Sequence, residues 1–413
     1  MARSKVISNY PRTIAIQILS LVLNDKIFLD EAINKIILQK NLKDGDFNRA
    51  WLNEICSGTL RWWGRLEFIL NSVAMKKKPT GWLKKILLIA VYQLIAQEKT
   101  NPKSVIFETV EEIKKEEGLA PSKFANAVLR KILNHAKQWK DLEFKNKFFY
   151  ELASLPQWLC HRLVSQYGNE CIWKFAIASL ERPSLWLRSL DTIEEAKIGS
   201  ISGSYMLKTI PIKKLKAFQE GRCYVQDISN QILVQEISDF VKTQEDQQRV
   251  LDLCASPGGK TVGLAWNGFQ VIATDKDNTR LELLKDTLHR MKLTQVQVIN
   301  KSQINIMPDF DLVWVDPPCM STGILRRHPE IRWIKKEEDV KVMTKLQQEL
   351  ILEGWRKVKP GGFLAYTVCS ILKEEGSELI EKANLKNHVI KQWLLMPHEF
   401  PYGDAFFGAL LKK

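Results

Sequence analysis

Val250-Leu-Asp-Leu-Cys-Ala-Ser-Pro-Gly-Gly-Lys-Thr261 decides the fold of the carboxyl half of this chain. The apolar, β-branched run from Val250 to Cys254 stops at small and turn-forming residues, after which a helical pattern begins. Glycines at such a strand–helix turn let backbone N–H groups approach a ligand closely. A Walker A loop needs a glycine five residues before Gly259, where this chain has Cys254, so the P-loop reading fails. The dinucleotide pattern G-x-G-x-x-G is absent as well.

Working outward, Arg249–Cys254, Gln270–Thr274, Gln295–Ile299, Asp311–Val315 and Gly362–Thr367 are short apolar runs separated by helical stretches. Strands alternating with helices predict a parallel, doubly wound α/β domain, whose ligands bind beyond the carboxyl ends of the strands. The second run ends in Ala273-Thr274-Asp275, a carboxylate placed for ribose hydroxyls. A glycine turn followed by a ribose-binding acid also suits S-adenosylmethionine (SAM). The plainer alternative is a tight turn with Asp275 as a helix cap.

The fourth run ends in Asp316-Pro-Pro-Cys319 and the fifth in Tyr366-Thr-Val-Cys-Ser370. One buried cysteine at a strand end is usually a small hydrophobe. Two at adjoining carboxyl ends, one of them beside Asp-Pro-Pro, make a more specific pattern, because neighbouring strands lie only about 4.8 Å apart. Carbon 5 of a pyrimidine is a poor nucleophile. A thiolate that adds to carbon 6 turns the ring into an enamine and puts electron density on carbon 5. A carboxyl group near N3 and the exocyclic amine orients cytosine, and a second thiol can assist release. Two cysteines and one aspartate therefore point to 5-methylcytosine formation. Which thiol attacks is open at this level.

The amino-terminal part differs. From Pro11 to about Gln138, apolar residues recur at helical spacing through Ile14–Leu23, Ala32–Leu38, Trp51–Leu60, Leu83–Ile95, Val105–Ile113 and Phe124–Leu133, separated by breakers such as Asn101-Pro102. This is an all-α bundle. Residues 140 to 235 mix helix (Trp158–Tyr167, Cys171–Leu180) with strand (Leu185–Leu190) and read as a small linking α/β subdomain. The expected domains are thus 1–139, 140–235 and 236–413.

The net charge of +14 is uneven: residues 1–140 carry 24 Lys+Arg against 13 Asp+Glu. Such a basic segment suits RNA or DNA better than an anionic membrane, with plain solubility as the competing explanation. The 413 residues, 45% hydrophobic and 26% charged, exclude disorder and small disulfide scaffolds. Seven cysteines without a C-x-x-C pair read as reduced cytoplasmic thiols, and six histidines without ligand spacing argue against a metal. The apolar stretch Ile86–Ala96 is too short to span a membrane, and Ile14–Leu23 reads as an amphipathic helix rather than a signal peptide.

Asp252-Leu-Cys-Ala-Ser-Pro-Gly-Gly-Lys260, Asp316-Pro-Pro-Cys319, Thr322 to Trp333 and Thr367-Val-Cys-Ser370 resemble the NOL1/NOP2/Sun RNA cytosine-5 methyltransferases, in particular the bacterial branch acting on 16S ribosomal RNA (the cytosine 967 class). Arg61 to Leu70, Glu108 to Glu111 and Asn126 to Arg130 resemble that branch's NusB-like RNA-binding domain. Trp158 to Gly168, Arg182 to Arg188 and Gly221 to Asp227 resemble its linking subdomain. The resemblance implies Cys369 as nucleophile, Cys319 as the helper in product release and Asp316 between cofactor and base. SAM would be held by Cys254, Ala255, Ser256, Pro257, Gly258, Gly259, Lys260 and Asp275. Lys260 would contact substrate or the polar edge of the site. Arg326, Arg327, Arg332 and Lys335 would face phosphate.

Three departures stand out. Ser302 occupies the place of the family's adenine-binding Asp, Glu374-Glu-Gly-Ser377 replaces Glu-Glu-Asn, and Gly403-Asp-Ala-Phe-Phe407 replaces Gly-Asp-Gly-Phe-Phe. None removes a catalytic group, so an active, SAM-dependent, monomeric enzyme is expected. The competing readings are the same chemistry on tRNA and a non-catalytic NusB-type assembly factor.

Overall fold

Period-two alternation runs through the strands of the carboxyl half, so each strand has apolar residues for two opposite faces. Val250, Val271, Leu312 and Ala365 belong to one core layer, while Leu251, Ile272, Val313 and Leu364 belong to the other. A sheet apolar on both faces must be covered on both. The computed structural model describes residues 11–42, 48–74, 78–97, 100–140, 149–207, 211–242, 248–399 and 403–413. The chain divides into two units, Met1–Arg182 with Leu325–Lys336 and Pro183–Ile324 with Glu337–Lys413.

The first unit is helical among the described residues. It comprises α1 (Pro11–Asp25), α2 (Leu29–Gln39), α3 (Arg49–Val73), α4 (Gly81–Ile95), α5 (Pro102–Glu117), α6 (Leu119–Asn134), α7 (Ala136–Lys140), α8 (Phe149–Ala153) and α9 (Gln157–Ala178). Each helix expected between Pro11 and Gln138 is present. Asn101 caps α5, its side chain accepting from Lys103 N at 3.0 Å, and Pro102 sits at the first turn, where its missing N–H costs nothing. The run Ile86–Tyr92 of α4 is buried, which accounts for its apolar character without a membrane. Among the described residues, no helix is long and apolar enough to cross a membrane. The two helices expected within 158–180 form the single element α9, broken at Gly168, whose φ is +79°.

In the second unit, β1 (Leu185–Ser189), β2 (Ala196–Ile198), β3 (Ser204–Leu207) and β4 (Cys223–Val225) form an antiparallel sheet in the order β2-β3-β1-β4. After α10 (Lys216–Gln219) and α11 (Ile228–Lys242) come β5 (Arg249–Asp252), α12 (Gly259–Trp266), β6 (Gln270–Ala273), α13 (Asn278–Arg290), β7 (Gln297–Val298) and β8 (Phe310–Val315). The chain then passes through α14 (Ile331–Ile334), which lies in the Leu325–Lys336 segment of the first unit. It returns as α15 (Asp339–Arg356), β9 (Val358–Val368), α16 (Ser377–Lys382), β10 (Val389–Leu395) and β11 (Phe406–Lys412). The seven-stranded sheet has the order β10-β11-β9-β8-β5-β6-β7. Its strands β5 to β9 are mutually parallel, as the alternation predicts, and β10 and β11 add an antiparallel extension. β10 is an edge strand whose Ile390, Lys391 and Gln392 are exposed, so it lacks the continuous apolar run that betrays a central strand.

One expectation is corrected here. Arg326 and Arg332 do not face solvent or phosphate; they are 3% and 1% exposed. Arg332 spreads its guanidinium over backbone, Nη1 donating to Ser154 O at 2.9 Å and Nη2 to Ser179 O and Oγ at 2.9 and 2.8 Å. Arg326 O accepts from the buried Arg61 Nε at 2.9 Å, and Trp333 Nε1 donates to Leu60 O. A planar fork with several donors can satisfy carbonyls that no apolar side chain could, so these arginines hold the 325–336 segment within the helical unit. Burial lowers the Arg332 pKa to about 9. Arg327 and Lys335 are partly exposed.

Candidate active site

Strands β8 and β9 run in parallel with Val315 opposite Tyr366. One residue further on, Asp316 and Thr367 face each other, and the chain beyond each brings a cysteine forward. Cys319 Sγ and Cys369 Sγ lie 3.3 Å apart. Cys319 is buried and Cys369 partly open. Ser321 N donates to Cys319 Sγ at 3.3 Å, and Ser321 Oγ stands 3.5 Å from Cys369 Sγ. The hydrogen bond to Cys369, followed by burial, raises the Cys319 thiol well above the ordinary thiol range. Either sulfur can be the donor in this contact, and Cys369 is the more open of the two thiols.

The loop carrying Cys319 is braced by residues that motif spacing did not single out. Glu375, fully buried, accepts from Met320 N at 2.8 Å and from Gln347 Nε2 at 2.7 Å through one carboxylate oxygen. Gln347 also donates to Pro318 O at 2.9 Å. A buried carboxylate must be hydrogen-bonded, and here its donors are the loop and the helix behind it. The signal in the sequence was a Glu retained within the divergent stretch 374–377. Gly323 is required by close approach: its N donates to Cys369 O, its O accepts from Ala405 N, both at 3.0 Å, and a Cβ there would stand 2.1 Å from Ala405 O.

On the other side of the strand ends lies the turn after β5. Gly258 adopts φ +108°, and an added Cβ would press on Leu284 Cδ1 at 2.9 Å, so only glycine fits. Cys254 leads into this turn; burial pushes its thiol up, away from reactivity. Ala255, Ser256, Pro257 and Gly259 complete the turn, and Lys260, 8% exposed, reaches Asp316 Oδ2 at 2.5 Å. Asp275, at the end of β6, is buried; its oxygens accept from Ser256 N at 3.3 Å and Asp277 N at 3.2 Å, with Arg280 at 3.6 Å. It does not cap the following helix; Asp277 does, accepting from Thr279 N. Ser302 is exposed in a short 3-10 turn beyond β7.

Asp252 completes the floor. It is fully buried, its Oδ2 accepts from Thr261 Oγ1 at 2.7 Å, and its Oδ1 has no partner among the described residues. Burial raises its pKa to about 7. An unpaired buried acceptor, a glycine turn and the carboxylates of Asp275 and Asp316 suit a positively charged adenosyl amino acid, so the residues present fit SAM. Among the described residues, no group of three His, Cys, Asp or Glu side chains is arranged to hold a metal ion.

This fold, with its glycine turn and with two thiols beside Asp-Pro-Pro at neighbouring strand ends, defines a SAM-dependent methyltransferase. The family model described as 16S rRNA methyltransferase RsmB/F matches residues 240–405, and the NusB family model matches residues 9–134. Ribosomal RNA small subunit methyltransferase B of Yersinia pseudotuberculosis (strain IP 31758) and that of Yersinia pestis are each 32% identical, aligned over 97% of this chain and 98% of theirs. The crystal structure of PH0851 superposes with a TM-score of 0.68 at 24% identity, over 98% of this chain and 99% of that one. A methyltransferase homologue from Pyrococcus horikoshii gives 0.56 at 20% identity, over 65% and 100%. These two structures speak for the fold. The chain belongs to the RsmB family of small-subunit ribosomal RNA methyltransferases, with a NusB domain at its amino end.

Proposed function

We propose that this enzyme methylates carbon 5 of a cytosine in 16S ribosomal RNA, in the cytoplasm, through a covalent bond between Cys369 and carbon 6 of the base. The single observation that carries this reading is the 3.3 Å contact between a buried Cys319 and a more open Cys369 beside Asp316. A thiol pair at a strand end beside a carboxylate has no use in methyl transfer to oxygen or to an exocyclic nitrogen.

In this mechanism Cys369 adds to carbon 6, and the ring electrons shift to carbon 5. Asp316, paired with Lys260, would accept from the exocyclic amino group and so orient the ring for that shift. Bound SAM supplies an electrophilic methyl group on sulfonium. Carbon 5 would take the methyl, leaving S-adenosylhomocysteine, and would then give up its proton to a base, for which the Cys319 sulfur is placed. As it does so, the Cys369–carbon 6 bond breaks and its electron pair returns to the Cys369 sulfur. Ser256 to Lys260, Asp252, Asp275 and the Ser302 turn would hold the cofactor. Residues 1–139, and the linking segment to residue 235, would grip RNA largely through charge.

Bisulfite mapping of ribosomal and transfer RNA from a deletion strain and its parent tests this. Loss of one 5-methylcytosine in 16S RNA is expected. Loss in tRNA alone would redirect the substrate, and no loss would remove the proposal.

A further inference from the structure

Thr367 is a polar residue in an apolar layer. It is fully buried, as is Trp314 beside it, and the same core layer holds Leu312, Trp314 and Ala365. Valine would fill its volume, and a buried hydroxyl costs free energy unless it is bonded. Its two bonds both lead to the site. Trp314 Nε1 lies 3.0 Å from Thr367 Oγ1, and Thr367 Oγ1 lies 3.1 Å from Asp316 Oδ1.

The chemistry of the three groups fixes the direction of the chain. An indole N–H only donates. Thr367 Oγ1 therefore accepts from Trp314, and its single proton points at Asp316, which accepts. Lys260 Nζ takes the other oxygen, Oδ2, at 2.5 Å. The carboxylate is thus held by one donor on each oxygen from behind, while 30% of the Asp316 side chain remains open in front. The sheet makes this possible: Trp314 and Asp316 are two residues apart on one pleat face, and Thr367 is their neighbour on the adjacent strand.

We propose that Thr367 is a positioning residue that sets the plane of the Asp316 carboxylate, with Trp314 fixing the polarity of the Thr367 hydroxyl. This rests on the role given to Asp316 above. Small displacements of a group meeting the base edge cost rate rather than cofactor affinity.

The test uses the full-length protein, small-subunit RNA and labelled SAM, with nucleoside mass spectrometry of the wild-type product. Thr367→Val is expected to lower kcat about 10- to 100-fold with the KM for SAM within about twofold, and Thr367→Ser to restore kcat to within about threefold. Trp314→Phe keeps a packed ring and is expected to cost about 3- to 10-fold on its own but nothing further in the Thr367→Val background. A second readout does not need turnover. Among the indole N–H resonances of the 13 tryptophans, the one lost in Trp314→Phe should shift in Thr367→Val and stay in place in Thr367→Ser. An unmoved resonance, unchanged turnover in Thr367→Val, or a Thr367→Ser variant as slow as Thr367→Val would overturn the proposal. A wild-type product methylated elsewhere than carbon 5 of cytosine would instead overturn the proposed function, and the resonance would still report on Thr367.

Discussion

Lys260 Nζ and Asp316 Oδ2, 2.5 Å apart, join the glycine turn after β5 to the Asp-Pro-Pro corner after β8. The pair ties the loop proposed to hold the cofactor to the group proposed to meet the base. Its Lys side chain is 10% exposed, so water cannot stand in for it. Lys260→Met leaves Asp316 without its ionic partner, and an unpaired, partly buried carboxylate costs about 1–3 kcal/mol. We expect kcat to fall about 100-fold, with a small drop in melting temperature. Methyl incorporation and a thermal melt check this; unchanged kcat would refute it.

The two thiols should fail differently. Cys369→Ala removes the attacking sulfur and should give neither methylation nor a covalent protein–RNA complex. Cys319→Ala leaves attack and transfer intact but slows release, so a complex surviving denaturation should accumulate. A denaturing gel after incubation with SAM and RNA reads both; accumulation in the Cys369 variant instead would exchange the roles.

Asp252 makes stability depend on pH. Its folded pKa of about 7 lies above the ordinary value of 3.8, so the folded state holds a proton that the unfolded chain has released. The contribution is complete below about pH 4, declines as pH rises toward 7 and is level above it, in all on the order of 4 kcal/mol. Asp252→Asn keeps an acceptor for Thr261 and removes the ionisation. Urea melts between pH 5 and 8 should show a flatter profile for this variant and greater stability at pH 8.

Arg332 separates a structural arginine from a phosphate contact. Arg332→Met should destabilise the protein by about 3 kcal/mol, because three acceptors lose their charged donor. The slope of RNA affinity against salt should stay as in wild type. A slope reduced by about one would show a phosphate contact instead.

Asp275→Ala should weaken SAM binding about tenfold, since its carboxylate both orders the Ser256 turn and is placed for the ribose. Calorimetry decides this, and unchanged affinity would remove Asp275 from the cofactor site.

The sequence by itself determined the amino-terminal helices and the five parallel strands, but not the antiparallel β10-β11 extension. Helical spacing and breakers marked the amino-terminal helices, and short apolar runs alternating with helices marked the parallel strands, because these are local properties of the chain. It also placed Cys319, Cys369, Asp316 and the 254–260 turn at strand ends. Tertiary structure alone decided what those ends meet. The 3.3 Å thiol contact spans 50 residues, the Trp314–Thr367–Asp316 chain depends on which strands are neighbours, and Glu375 becomes a brace only once α15 covers the sheet. The same holds for Arg326 and Arg332, whose spacing suits an exposed basic face and whose burial follows from the helices packed around them. Hydrogen-bond partnership and desolvation are set by neighbours distant in sequence, and no local pattern encodes them.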